Sequence, residues 1–389
     1  MKNNVNPQSM YDTAIQYINQ GQFKEASEIL IALYQQNHRD LEIIYNLAYC
    51  LAQTRRGLEA EGILRGLGQT AYDIEPIYQL LDQITESNVP VAKIPKVLYI
   101  EVSDLCNANC IFCAYQFDPR KKGFLKTEYY KKALIEYHSI GGKIVSLSPM
   151  TGEIFMNNDI LDMLDFIDSF SFETVYTYTN LLRIHKFDID RLLNSGLTQL
   201  RISTGPLEID VYTKMYRVGK TQYYQLLKNF KTFLTKIKNA VDPKLKSVTI
   251  DFRTDRSPKE LTELPDFNEW VKPYLSSRIV FSNAISVYDS WMGQIKQEDL
   301  MPGMSLKSSD FNKPIPCQRI YNMQIRANGE MRLCGCRINY QTDQDVFKVG
   351  HIETESITGA FNTERASELI NTFRSGKLLE ECKKCSWYE

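Results

Sequence analysis

The sequence predicts an α/β protein with a helical front and a cysteine-rich tail. Three observations carry that reading: a repeat of period 34 near the N-terminus, short apolar strands alternating with amphipathic helices from Val97 to Ala284, and nine cysteines of which eight fall in two groups.

The repeat comes first. Tyr11, Ala14, Glu25, Ala26, Ile29 and Leu30 recur 34 residues later as Tyr45, Ala48, Glu59, Ala60, Ile63 and Leu64. This resembles tetratricopeptide repeats, with Gly21 at the turn of the first copy and Arg55 at that of the second. A third helical stretch, Ile77 to Ile84, would cap the array, because a stacked helix pair leaves one apolar face to cover. Asn88 through Pro95, with two prolines, reads as a linker.

Strands are predicted at Val97–Ser103, Lys143–Leu147, Thr174–Tyr178, Leu197–Ser203, Ser247–Arg253 and Arg278–Ala284. Helices are predicted at Tyr129–Tyr137, Ile160–Ser169, Asp188–Asn194, Tyr223–Ile237 and Leu261–Val271. Such alternation argues for a parallel sheet with right-handed crossovers, either open and doubly wound or part of a barrel. Beyond Trp291 the chain turns irregular, so three domains are expected: 1–92 helical repeats, 93–295 the α/β region, and 296–389 a small cysteine-bearing domain.

The formal charge is -1, from 46 basic and 47 acidic side chains, so no global positive field draws in nucleic acid or a membrane surface. No apolar run reaches spanning length, and the first residues are too polar for a signal-peptide core. A cytoplasmic protein is expected, and in a reducing compartment clustered cysteines read as metal or cluster ligands before disulfides.

Cys106, Cys110 and Cys113 follow the first predicted strand, where parallel sheets hold their active sites. Chance gives about 0.005 occurrences of this spacing at this composition. Three thiolates on a cubane cluster leave the fourth iron open to a substrate or cofactor; a zinc site completed by a distant residue is the competing reading. The arrangement, with Phe112 before the last cysteine, resembles the radical S-adenosylmethionine (SAM) signature. Ser148 to Glu153 looks like that family's Gly-Gly-Glu segment, here with Thr151 in place of the first glycine ahead of Gly152 and Glu153. Asn180, after the third strand, and Ser203, in the fourth, resemble positions near the SAM ribose and carboxylate, and Tyr216 to Gly219 fits the family's order. The resemblance implies a partial barrel of six strands and helices and a [4Fe-4S] cluster whose open iron chelates SAM. It also implies an electron donor such as a flavodoxin or ferredoxin, and a 5'-deoxyadenosyl radical that removes hydrogen from a C–H bond.

The second group is Cys317, Cys334, Cys336, Cys382 and Cys385, with Gly329 five positions before Cys334. It resembles the SPASM and twitch extensions of radical SAM enzymes. The spacing matches a single auxiliary [4Fe-4S] cluster held by Cys317, Cys334, Cys382 and Cys385, and zinc on the same thiolates remains open. Cys336 is then left over as a packing residue, a substitute ligand, or a thiol that returns a hydrogen atom to substrate. Cys50 and the four histidines read as packing or surface residues. Tyr115 is divided between packing and a place against the SAM adenine, and Tyr288 to Gly293 between packing and the barrel mouth.

Two substrate classes compete: a ribosomally made peptide to be epimerised, cross-linked or oxidised, and a sugar-like small molecule for a dehydrogenase or epimerase. A non-catalytic iron-sulfur electron carrier is the third reading, against which the three-cysteine motif stands.

Overall fold

A computed structural model describes residues 6–54, 56–68, 70–88, 94–120, 122–282, 285–310, 317–335, 337–340, 345–374 and 378–387, and these fall into two compact units. Most of the first is residues 1–92, joined by 311–317 and 370–378; the rest of the chain forms the second.

The first unit is built from α1 (Pro7–Asn19), α2 (Phe23–Gln36), α3 (Leu41–Gln53), α4 (Gly57–Arg65), α5 (Thr70–Asp73) and α6 (Glu75–Asn88). Helices open at Pro7, Leu41 and Glu75, and at Phe23 and Gly57, each 34 residues apart. Capping explains the starts: Asn6 accepts from Gln8 N at 3.0 Å ahead of Pro7, and Asp40 accepts from Glu42 N at 3.1 Å. Gly21 turns the chain between α1 and α2 at φ 73°, where a side chain would be strained. Ala14, Ala26, Ala48 and Ala60 are fully buried, so the repeating small residues are those that let the helices approach. Cys50 is buried too, which pushes its thiol up to about 11. Arg55 and the linker residues 89–93 lie outside the described residues.

In the second unit β1 (Leu98–Ile100), β2 (Ile144–Ser146), β3 (Thr174–Thr179), β4 (Gln199–Thr204), β5 (Ser247–Phe252) and β6 (Ile279–Phe281) pair in parallel and in chain order. The crossovers carry α7 (Thr127–Ser139), α8 (Ile160–Asp168), α9 (Ile189–Leu193), α10 (Ile209–Tyr216), α11 (Lys220–Asn239), α12 (Pro258–Glu263) and α13 (Pro265–Trp270). Each predicted strand is present, all shorter than expected save β3, which is one residue longer, and Asn283 and Ala284 lie outside the described residues. The single helix expected over 261–271 is instead two. Leu264, before a proline, is driven to extended backbone at ψ 137°, and Pro265 restarts the chain as a first-turn residue.

After a two-stranded ribbon, β7 (Val287–Tyr288) with β8 (Ser305–Leu306), the chain returns to the main sheet. β9 (Met323–Ile325) pairs in parallel with β1, and β10 (Glu330–Leu333) and β11 (Lys348–His351) follow antiparallel. One sheet of nine strands therefore runs across the position where the sequence suggested a new domain. Gly329, at φ 90°, makes the turn between β9 and β10. No helix among the described residues is long and apolar enough to cross a membrane.

Candidate functional site

In parallel order the C-terminal ends of β1 to β5 share one end of the sheet, and there the second unit encloses a cavity of about 340 Å³. Cys106, Cys110, Phe112, Cys113, Gly152, Glu153, Asn180 and Ser203 all line it. Residues nearly 100 positions apart in the sequence thus meet because strand ends do.

The cysteine loop is fixed by its own backbone. Asn109 N donates to Tyr216 O at 3.1 Å and Ile111 N to Met215 O at 2.9 Å, tying the loop to the end of α10. The Tyr115 hydroxyl accepts from Cys106 N at 3.1 Å and lies 3.4 Å from Cys106 O, so this tyrosine braces the loop. Phe112 stacks on Tyr288 at 5.3 Å, meets Tyr216 edge-on at 5.5 Å, and its carbonyl accepts from Trp291 Nε1 at 3.2 Å.

Burial pushes the Cys106 thiol up to about 12, with the Glu153 carboxylate adding to the effect, and raises Cys110 and Cys113 as well. Such thiols become thiolates only against a compensating positive charge, which iron supplies. Arg253 favours the thiolate at Cys110 and Cys113. Ser148 Oγ, in the loop that lines the cavity, and Asn109 Oδ1, in the cysteine loop, are buried without a hydrogen-bond partner among the described residues. The donor set and these orphaned atoms fit a cluster with a polar ligand beside it.

The loop after β2 rests on the loop after β1. A Cβ at Gly152 would lie 2.3 Å from Ser103 O and 2.9 Å from Asp104 Cα, so only glycine permits the contact. Thr151, the departure from the family pattern, has its hydroxyl 2.9 Å from that of Tyr340. Buried Glu101 holds the same loop, accepting from Met150 N at 2.9 Å and Ala327 N at 3.3 Å. Glu153 accepts from Thr179 Oγ1 at 2.8 Å and Asn180 N at 2.7 Å, which links the loop to β3; burial pushes its carboxyl up to about 7. Asn180 Nδ2 donates to Asn107 Oδ1 at 2.8 Å and lies 3.9 Å from Cys106 Sγ. Ser203 Oγ is 3.5 Å from Arg253 Nε.

Tyr288, Asp289 and Trp291 line the cavity, as their position after the sixth strand suggested. Trp291, Met292 and Gly293 hold successive φ values of 50°, 60° and 80°, a strained run for two non-glycine residues. Asp289 secures it, accepting from Trp291 N at 3.1 Å and Ser386 Oγ at 2.6 Å and pairing with Arg337. The histidines stay out of the site: His138 packs on Phe170 at 5.3 Å, His185 Nδ1 lies 3.3 Å from Asn229 Nδ2, and His351 Nε2 lies 3.0 Å from Asn328 O.

Sequence reasoning missed Tyr99, Tyr176, Tyr178, Arg253, Arg319 and Arg337 in the lining. Tyr176 and Tyr178 share a face of β3, and Arg253 is the first residue after β5, so alternation and strand-end position could have found them. Nothing periodic surrounds Arg319 or Arg337. Arg319 Nη1 donates to the Tyr99 hydroxyl at 3.2 Å, as does the Tyr176 hydroxyl at 3.2 Å.

The second cysteine group is placed differently. Cys334 is half-buried at φ 61°, and Cys382 and Cys385 are buried around the short helix Glu380–Lys383. Cys385 Sγ accepts from Trp387 N at 3.4 Å. Cys317 is buried as well but falls within the first compact unit. Cys336 lies outside the described residues.

Residues 317–386 match the model of SPASM, an iron-sulfur cluster-binding domain. The C-terminal part of the chain is therefore a site for iron and sulfur. A curated "Probable GTP 3',8-cyclase" of Pyrobaculum aerophilum is 28% identical over 174 residues, 43% of this chain and 53% of that protein. The chain thus spans about half the length of the curated relative it matches. Among solved structures, Streptococcus suis SuiB bound to precursor peptide SuiA aligns over 85% of this chain and 83% of its own, at 16% identity and a TM-score of 0.50. BtrN in complex with AdoMet and 2-DOIA aligns over 75% of this chain and 93% of its own, at 12% identity and a TM-score of 0.47. The SuiB likeness shows a shared fold, with the parallel sheet at its centre.

Proposed function

We propose that this chain is a radical SAM enzyme of the SPASM type that modifies a ribosomally made peptide. The observation that carries the reading is a cavity gathering three thiols, Glu153, Asn180 and Ser203 at the C-terminal ends of parallel strands, beside a SPASM match in the same chain. Cys106, Cys110 and Cys113 would hold a [4Fe-4S] cluster with one open iron, and Cys317, Cys334, Cys382 and Cys385 an auxiliary one. When bound, cluster and SAM supply one-electron cleavage of a sulfonium and a carbon radical strong enough to remove hydrogen from a C–H bond.

The chain's residues bind, orient and exclude water. Glu153 Oε1 already accepts from Thr179 Oγ1 and Phe155 N, while Oε2 accepts from Asn180 N alone and keeps a lone pair for an ammonium group. Gly152 lets the backbone approach, and Asn180 and Ser203 offer polar contacts to the ribose and carboxylate of SAM. Phe112, Tyr178, Tyr216 and Trp291 wall the cavity with rings that keep water from a reactive intermediate. A flavodoxin or ferredoxin would deliver the electron. Residues 1–92 would act as a tetratricopeptide-like array presenting a surface to an extended peptide, 93–295 as the barrel, and 296–389 as the cluster domain. The SuiB structure carries a precursor peptide, which favours the peptide over a sugar-like substrate.

The test is anaerobic reconstitution of the full chain with iron and sulfide, then dithionite and SAM. The expected product is 5'-deoxyadenosine, and its absence with full iron content would sink the reading in favour of an electron carrier. A peptide encoded nearby should gain a mass or stereochemical change. Turnover of a sugar derivative instead would move the assignment to a small-molecule dehydrogenase or epimerase. If the reaction inverts a centre with Cys336 as hydrogen donor, product made in deuterium oxide should carry one deuterium, and Cys336→Ala should cleave SAM without inversion.

A further inference from the structure

Tyr212 and Tyr216 lie one turn apart on α10, 0% and 2% exposed, with their rings stacked at 4.5 Å and 4°. Neither hydroxyl has a hydrogen-bond partner among the described residues. Thr204 is a polar neighbour of Tyr212, yet its own Oγ1 is likewise unbonded. Burying one hydroxyl without a partner is disfavoured, and two side by side need an account, since phenylalanine would fill the same space at no such cost.

Space has been left for the pair. A Cβ on Gly205, just past β4, would come within 2.9 Å of Tyr216 Cε2 and 3.2 Å of Tyr212 Cδ2. The rings also stand at the cysteine loop: Tyr216 O accepts from Asn109 N at 3.1 Å, its ring meets Phe112 at 5.5 Å, and it lines the cavity together with Cys110. An acceptor supplied from outside the chain, beside Cys110, answers the unbonded hydroxyls.

Resting on the radical SAM reading above, we infer that the Tyr216 hydroxyl, with Tyr212 stacked behind it, donates a hydrogen bond to a sulfur of the cluster held at Cys110 and raises its reduction potential. A reduced cluster is more negative than an oxidised one, so a donor to sulfur stabilises the reduced form more. The pair makes the cluster easier to reduce by a physiological donor. The competing occupant is a water between Tyr216 and the unbonded Asn109 Oδ1, which would leave the potential indifferent to the hydroxyl.

The test uses the full chain, reconstituted anaerobically and titrated while its electron paramagnetic resonance is recorded. The relevant cluster is identified by the change in its signal when SAM is added. Tyr216→Phe should keep wild-type iron, and at the wild-type midpoint its ratio of reduced to oxidised cluster should fall about fivefold, with a smaller fall in Tyr212→Phe. Wild type reconstituted in deuterium oxide should show an exchangeable deuteron coupled to the cluster that Tyr216→Phe lacks. Full iron with an unmoved midpoint and unchanged deuteron couplings overturns the inference and leaves the radical SAM reading standing; a wild type with no SAM-responsive cluster overturns that reading itself. Should Tyr216→Phe lose iron, Tyr212→Phe and the wild-type deuteron signal decide, and absence of both effects rejects the hydrogen bond.

Discussion

The two cysteine groups carry the same thiols on opposite kinds of scaffold. Cys106, Cys110 and Cys113 share one loop, pinned by backbone hydrogen bonds to α10 and by Tyr115, inside one compact unit. The second group is spread along the chain from Cys317 to Cys385. A contiguous set is fixed by the local backbone and survives changes elsewhere. A set dispersed in sequence has no such local backbone to fix it.

The largest expected effect separates them. Replacing Cys106, Cys110 and Cys113 together by Ala should remove about half the iron and all SAM cleavage, while replacing Cys382 and Cys385 should remove the other half and spare cleavage uncoupled from substrate. Iron analysis and 5'-deoxyadenosine formation measure both. Loss of cleavage in the second variant would mean the first loop depends on the tail, and the contrast would fail.

The same contrast governs what could be read in advance. The first motif was legible because spacing within eight residues encodes a loop, and Gly152, Glu153, Asn180 and Ser203 because they sit at strand ends, which a parallel sheet gathers at one edge. The helix period of 34 was legible as identities at fixed offset. What escaped was tertiary. β9 has three residues, and only its pairing with β1 on one side and β10 on the other makes it a strand. Arg319 reaches the cavity from the one-turn helix Gln318–Tyr321, and Arg337 and Trp387 from irregular segments, all too short for a period to announce them.

A second prediction sharpens the account of the first loop. Gly152→Ala puts a Cβ 2.3 Å from Ser103 O, against backbone that cannot swing aside. The cost should be about 1–3 kcal/mol in thermal or denaturant unfolding, with weaker SAM binding by calorimetry. A wild-type melting curve would show that the two loops separate more freely than their packing indicates.

A third concerns Glu101, beneath the same loops. Burial, reinforced by Asp104 and opposed by the Met150 and Ala327 amides and Arg120, pushes its carboxyl from 4.5 to about 7. Arg326 Nε lies 3.7 Å from it. Because the folded value is raised, the stability this group contributes is fully present below about 4.5 and is lost as pH rises through about 7. Between pH 5.5 and 7.5, Glu101→Gln should therefore gain on the wild type by about 1–3 kcal/mol. Parallel melting temperatures across that range would contradict the buried carboxyl as its source, with Glu153, of the same sign, the next group to replace.

The smallest effect tests the join between the two regions within the second unit. Trp291 Nε1 donates to Phe112 O at 3.2 Å, and the Arg337 guanidinium lies over the Trp291 ring at 4.2 Å and the Trp387 ring at 5.4 Å while pairing with Asp289. Trp387 in turn donates to Cys385 Sγ. A chain of contacts thus runs from the first cysteine loop to the last cysteine, through a cation between two indoles. Arg337→Lys keeps the charge for Asp289 and loses the flat stack, so it should cost about 1 kcal/mol. Trp291→Phe keeps a ring and loses the hydrogen bond, at about 1 kcal/mol as well. Because both act on one contact, the double variant should cost less than the sum by about 0.5 kcal/mol or more, with iron unchanged in all three. Strict additivity would mean that the stack carries no energy. Loss of the SAM-responsive cluster in Trp291→Phe alone would mean the first loop borrows its order from the tail, since a backbone-fixed loop should outlast the loss of one carbonyl partner.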